Sequence, residues 1–181
     1  MKQQSDQGVT DGASPVTGDS MQTPSTSVTT MVPRGPNLIN DADPQDGERF
    51  IVVERSTGKA LAVVNGKLEL QACDGTGTFG SQWHWHWDCS LKNGWLGFRN
   101  RVTGRYLGYE SNKRNPTGEI SNEAIEHGAF ERLHASRSSD GSHILYAPYH
   151  DELRRIKSGV TGEFFLGKIG GIEWEFIKVA E

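Results

Sequence analysis

The sequence predicts an all-β barrel assembled from three copies of one four-strand unit and preceded by a disordered leader. Three observations carry this. Short β-branched and aromatic runs are separated by Asn-Gly, Thr-Gly, Asp-Gly and Gly-Gly pairs, with no amphipathic helical stretch among them. Apolar positions recur three times at an interval of about 46 residues. The aromatic residues begin only at Phe50, after a stretch dominated by Ser, Thr, Gly, Pro, Gln and Asp.

The leader comprises residues 1–46, where apolar residues come singly or in pairs and cannot bury enough area to offset the entropy of ordering them. The folded part is then 47–181, with its first strand at Phe50. Of the 19 basic and 23 acidic residues of the chain, the leader holds Lys2 and Arg34 against Asp6, Asp11, Asp19, Asp41, Asp43 and Asp46. The domain is therefore neutral, with 17 of each sign. A neutral domain lacks the long-range field that gathers a phosphate backbone, so no nucleic-acid partner is expected.

The repeat is found by apolar column rather than by motif. Val52, Phe98 and Ile144 are 46 apart, as are Leu61, Leu107 and Leu153, while Trp85, Phe130 and Trp174 follow at 45 and 44. A turn column, Gly66-Lys67-Leu68, Gly118-Glu119-Ile120 and Gly162-Glu163-Phe164, leads into the third strand of each unit.

The units span about 50–90, 91–137 and 140–181. The first is expected to place strands at 50–53, 60–63, 68–70 and 83–87, the second at 95–98, 105–108, 119–121 and 130–133, and the third at 143–146, 153–156, 164–166 and 174–177. One such unit cannot cover its own apolar face, but three around an axis can close and pool those faces. Each buried aromatic would then contribute roughly 1.5–3 kcal/mol or more.

Twelve strands in three units resemble the β-trefoil. Within that fold, Leu96-Gly97-Phe98-Arg99-Asn100, the Thr103-Gly104 turn and Arg105-Tyr106-Leu107-Gly108 are similar to a fascin-like domain of the actin-crosslinking superfamily. So is Phe130-Glu131-Arg132-Leu133-His134-Ala135 followed by Asp140-Gly141. The resemblance implies a single-copy, non-enzymatic binding module whose partner is a protein such as filamentous actin. The competing reading is a glycan-binding trefoil. The ricin-type branch carries Gln-x-Trp near the end of each unit, whereas here Gln82 is followed directly by Trp83 and the triplet is absent.

Candidate partner contacts are the basic and aromatic residues clustered in unit two: Arg99, Arg101, Arg105, Tyr106, Tyr109, Lys113 and Arg114. A protein partner would use the charges, and a glycan the tyrosine rings. In Trp83-His84-Trp85-His86-Trp87, strand alternation would put His84 and His86 on one face about 6.6 Å apart, but no third ligand stands at a fixed spacing, so no metal is assigned. Gly75-Thr76-Gly77-Thr78-Phe79-Gly80 spells the dinucleotide fingerprint G-x-G-x-x-G without the helix that makes it work, so no cofactor is expected.

No nucleophile elbow, His-Glu-x-x-His or P-loop lysine is present, which favours binding over catalysis. The chain shows neither the apolar core of a signal peptide nor a membrane-length apolar run, and it has only two cysteines, Cys73 and Cys89. The expectation is a cytoplasmic protein without a membrane partner.

Overall fold

The computed structural model describes residues 37–73, 81–109 and 118–180. It is all-β and entirely antiparallel in the pairs it forms. The strands are β1 (Leu38–Ile39), β2 (Arg49–Glu54), β3 (Lys59–Val64), β4 (Lys67–Ala72), β5 (His86–Lys92), β6 (Trp95–Asn100) and β7 (Tyr106–Tyr109). They continue as β8 (Ile120–Ala124), β9 (His134–Arg137), β10 (His143–Tyr149), β11 (Glu152–Ser158), β12 (Phe164–Gly167) and β13 (Glu173–Val179). No helix among the described residues is long and apolar enough to cross a membrane.

Pairing closes a ring. β2 pairs with β5 and with β13, β5 with β6, β13 with β10, and β10 with β9. The last gap, between β6 and β9, is closed by a bridge from Leu96 to Leu133, each N–H donating to the other's carbonyl at 2.9 and 2.8 Å. Hairpins β3–β4, β7–β8 and β11–β12 continue from β2, β6 and β10. The three turn glycines read from the sequence, Gly66, Gly118 and Gly162, all take positive φ (78°, 76° and 92°), the conformation that favours glycine.

Inside the ring lie Phe50, Trp87, Phe98, Trp174 and Phe176, all fully buried. Phe176 meets Phe50 edge-on at 5.8 Å and stacks on Phe98 at 5.4 Å, and Trp87 Nε1 donates to the Leu61 carbonyl at 2.9 Å. A second cluster covers the outer face of β2: Ile51, Val53, Ala60, Ala62, Cys73, Trp85 and Ile177, backed by Leu38 and Val179. Cys73 and Cys89 fall in different clusters, and burial pushes the Cys89 thiol up to about 12.

Four expectations change. The stretch expected as a strand from Trp83 begins instead as a 3-10 helix, Ser81–Trp85, and the strand starts at His86. Asn100 Nδ2 donating to the His84 carbonyl at 2.7 Å helps to hold this turn, so Trp85 and Trp87 enter different clusters rather than sharing one face.

Near the second aromatic ending, only Leu133 of 130–133 pairs, and the strand lies at 134–137. In the third repeat the buried positions are Leu145 and Ile156, while Ile144 is half-buried and Leu153 is 49% exposed. The β10–β11 hairpin explains this. It runs on to Tyr149↔Glu152 around two residues, whereas β2–β3 ends at Glu54↔Lys59, so equal sequence spacing selects the wrong neighbours.

Finally, residues 37–46, grouped with the leader on composition, lie against the barrel. β1 pairs with β13, Ala42 N–H donates to the Phe176 carbonyl at 3.1 Å, and Asp43 Oδ1 lies 2.9 Å from Nε2 of buried His143.

Trp87→Ala or Trp174→Ala should cost on the order of 3–5 kcal/mol in urea unfolding, since each would open a cavity in the aromatic core. A cost below about 1 kcal/mol for either would contradict that placement.

His86 gives a pH test. Burial, and after it the charge of Arg49, hold its imidazole down at about 4 against an ordinary 6.5. The unfolded chain therefore takes up the proton first. Stability should be full above about 6.5 and decline as the pH falls towards 4, by a total on the order of 3 kcal/mol. His86→Asn should flatten that part of the stability profile, and an unchanged slope would show that another group controls it.

Candidate functional site

Strand β7, β8 and the segment 125–131 enclose an open groove of about 530 Å³ whose walls include Tyr106, Gly108, Ser121, Glu123, Ile125 and Glu131. Its shape is set locally by side-chain hydrogen bonds around the 100–105 turn. Asn100 Oδ1 accepts the N–H groups of Val102 and Thr103, Thr103 Oγ1 donates to Asn122 Oδ1 at 2.6 Å, and Asn122 Nδ2 donates to the Arg105 carbonyl at 2.6 Å. The β7–β8 register then shifts between Tyr106 and Gly108, an irregularity of the kind that re-aims a side chain beside a site.

Tyr106 is left half-buried, its ring stacked on His127 at 5.6 Å with 23° between planes. Glycines make room for this packing. A Cβ on Gly97 would lie 2.7 Å from His127 Nδ1, and one on Gly108 would lie 2.9 Å from the Phe130 carbonyl.

Glu131 forms part of the wall, accepting the Gly128 N–H at Oε2 (2.9 Å). Burial raises its carboxyl pKa, opposed by backbone N–H groups including that of Gly128. Burial also raises the Tyr109 phenol, with Glu131 adding to it. Ile125, 76% exposed, stands on the rim. The groove thus offers the rings of Tyr106 and Phe130, the Ser121 hydroxyl and carboxylates at Glu123, Glu126 and Glu131. Such a surface suits a neutral, polyhydroxylated ligand, through ring stacking and accepted hydrogen bonds.

The candidate residues of unit two separate in space. Tyr106 lines the groove, and Arg105 beside it donates from Nη1 to the Glu123 carbonyl at 3.0 Å. Tyr109 also reaches the groove but is buried, edge-on to Phe130 at 5.1 Å. Arg99 Nε donates to the Gly104 carbonyl at 2.7 Å, and Arg101 lies 3.3 Å from Asp88 with its guanidinium 5.0 Å from the centre of the Trp83 ring. Lys113, Arg114 and the 75–80 glycine motif lie outside the described residues.

His84 and His86 do not share a strand face. His84 Nε2 lies 3.0 Å from Gln71 Oε1, and His86 is buried in β5. Among the described residues no group of three His, Cys, Asp or Glu side chains is placed to hold a metal ion.

Sequence reasoning missed Ser121, Glu123, Ile125, His127 and Glu131. The signal available was Gly97 and Gly108 inside strand-like runs, where a missing side chain marks close approach by another group. A wider depression of about 830 Å³ opens between the three hairpins. Its walls mix Lys59 and Lys67 with Glu69, Glu119 and Glu163, and the one aromatic among the described lining residues, Phe164, is buried, so the β7–β8 groove is the better candidate.

Comparison with known proteins establishes the fold class. No protein-family model matches the sequence, and no curated protein does. Among solved structures, a ricin B-like lectin from Macrolepiota procera, in complex with lactose, is 11% identical over 77% of this chain and 100% of its own, with a TM-score of 0.54. The designed three-fold symmetric protein ThreeFoil is 17% identical over 73% of this chain and 99% of its own, with a TM-score of 0.56. A GlcNAcα1-4Gal-releasing endo-β-galactosidase from Clostridium perfringens is 19% identical over 73% of this chain, with a TM-score of 0.59. This chain spans only 32% of that enzyme's length. These likenesses assign the chain to the β-trefoil fold.

Gly97→Ala should disturb the groove. The added methyl cannot coexist with the His127 ring as placed, so a loss of about 1–3 kcal/mol and a shifted Tyr106 ring signal are expected by urea unfolding and NMR. Parent-like stability and spectra would show that His127 is not held over Gly97.

Proposed function

We propose that this chain is a non-catalytic glycan-binding β-trefoil module that holds a saccharide in the β7–β8 groove. The observation that carries this reading is the half-buried Tyr106 ring, stacked on His127 and bordered by Glu123 and Glu131. An aromatic face already packed against a neighbour loses little entropy when a sugar stacks on it, and flanking carboxylates accept hydrogen bonds from its hydroxyls. The lactose-bound lectin and the endo-β-galactosidase among the similar structures support the same class and make galactosides the first ligands to test.

The proposal includes three four-strand units. It is supported by three pairs that recur in the same relation, Phe50↔Trp87, Leu96↔Leu133 and His143↔Trp174, and by the hairpin that follows the first strand of each. The filament-binding reading draws on the basic residues of unit two. Arg99 and Arg101 already engage the Gly104 carbonyl and Asp88, so the groove accounts for more of the structure.

A glycan array run beside actin co-sedimentation tests the choice. The chain should retain galactosides at high salt, because stacking and neutral hydrogen bonds are weakly screened, and Tyr106→Ala should lower affinity about tenfold. A chain that pellets with filaments and binds no glycan would reverse the assignment, as would a Tyr106→Ala variant with parent-like glycan affinity.

A further inference from the structure

Gly128 and Ala129 line both the groove and a second, smaller cavity of about 90 Å³. The remaining walls of that cavity are Lys92, Asn93, His127 and Arg132. It is several times the roughly 10–15 Å³ that one water needs. Among the described residues, no carboxylate stands in its walls.

Lys92 Nζ donates one hydrogen bond, to the His127 carbonyl at 2.9 Å, which leaves two of its three N–H groups unused by that contact. Among the described residues, neither Lys92 nor Arg132 is paired with a carboxylate. His127 is only 7% exposed, with Nδ1 3.3 Å from Ser90 Oγ and a buried Nε2 that has no hydrogen-bond partner. Burial, and then the charges of Lys92 and Arg132, hold the imidazole below its ordinary range, against an opposing backbone hydrogen bond with Leu96.

We infer that this cavity is an anion subsite that receives a sulfate or phosphate ester carried by a saccharide lying in the groove. The inference rests on the glycan reading and extends it from neutral sugars to those that carry one ester, which should bind better. The ring would stack on Tyr106 on the groove side of Gly128 and Ala129, and the ester oxygens would meet Lys92, Arg132 and the unpartnered edge of His127. A tetrahedral oxyanion supplies the acceptors that these donors lack, and charge-assisted hydrogen bonds are the strong ones. Glu123, Glu126 and Glu131 in the groove would repel further anionic groups, so a densely sulfated polymer does not fit this arrangement.

Two measurements on the full chain test the inference. In the first, ¹⁵N-labelled protein is titrated with sodium sulfate at constant ionic strength. Saturable shifts are expected at Gly128, Ala129 and Arg132, and Lys92→Gln combined with Arg132→Gln should abolish them. Shifts that never saturate, or that persist in the variant, would overturn the subsite.

In the second, matched neutral, 6-sulfated and 6-phosphorylated galactosides are compared on one array. One or both esters should bind about tenfold better than the neutral sugar, and the double variant should lose that margin while keeping neutral binding. Neutral binding without an ester preference would overturn this inference and leave the glycan reading standing. Sulfate saturation with no glycan bound on any arm would retire the glycan reading and the saccharide assignment with it. Arg132→Gln alone, which breaks no ion pair among the described residues, gives the same reading with about half the loss in binding energy if the double variant does not fold.

Discussion

Enclosing five large aromatic side chains in one cluster is the constraint from which the architecture follows. Phe50, Trp87, Phe98, Trp174 and Phe176 come from β2, β5, β6 and β13, and all are fully buried. No pair of these strands can exclude water from such a cluster, so the remaining arc must be supplied by β9 and β10 with Leu133 and Leu145. The Leu96–Leu133 bridge is where the arc closes, and it satisfies backbone groups that would otherwise line a sheet edge.

With the core assigned to the ring, the outer surface is free to differ from side to side. The outer face of β2 is covered by Trp85, Ile177 and Leu38, so β2 is buried on both faces and cannot present a site. The segment just before it is tied down as well, by Asp43 on buried His143 and on Arg137. Between β6 and β8 the equivalent bulk is missing. Gly97 and Gly108 replace it, and the space they leave admits the His127 ring and the 128–131 backbone rather than a hydrophobic cover. A groove results on that side of the barrel, with one tyrosine ring partly in solvent.

Charge follows the same logic of local placement in a domain that is neutral as a whole. Acidic groups gather along the groove, and basic groups gather behind Gly128 and Ala129, a few residues away in sequence. The long-range field is weak, but the contrast at one site is sharp, and such a contrast selects among ligands more than it accelerates their arrival. The basic residues that stand out in the sequence behave differently. Arg99 and Arg101 are used to brace the 101–104 turn and to neutralise Asp88.

The sequence by itself determined the all-β class, the turn glycines and the first two members of two apolar columns, Val52 with Phe98 and Leu61 with Leu107, because strand alternation and positive-φ turns are local properties that short windows encode. It offered Tyr106 only as one of seven candidate contacts. It did not determine which tryptophan of Trp83-His84-Trp85-His86-Trp87 enters the ring, since all three satisfy a period of two and the first part is instead a 3-10 helix, held in part by Asn100 of a later strand on the His84 carbonyl. Nor did it place Leu145 and Ile156, because the length of the β10–β11 hairpin, not the repeat interval, sets their register. The groove and the cavity behind it were decided only by tertiary structure. Their walls come from β5, β7, β8 and the 125–132 segment, which meet because the ring closes at Leu133, and no linear spacing records that His127 will sit over Gly97 with its Nε2 left unpartnered.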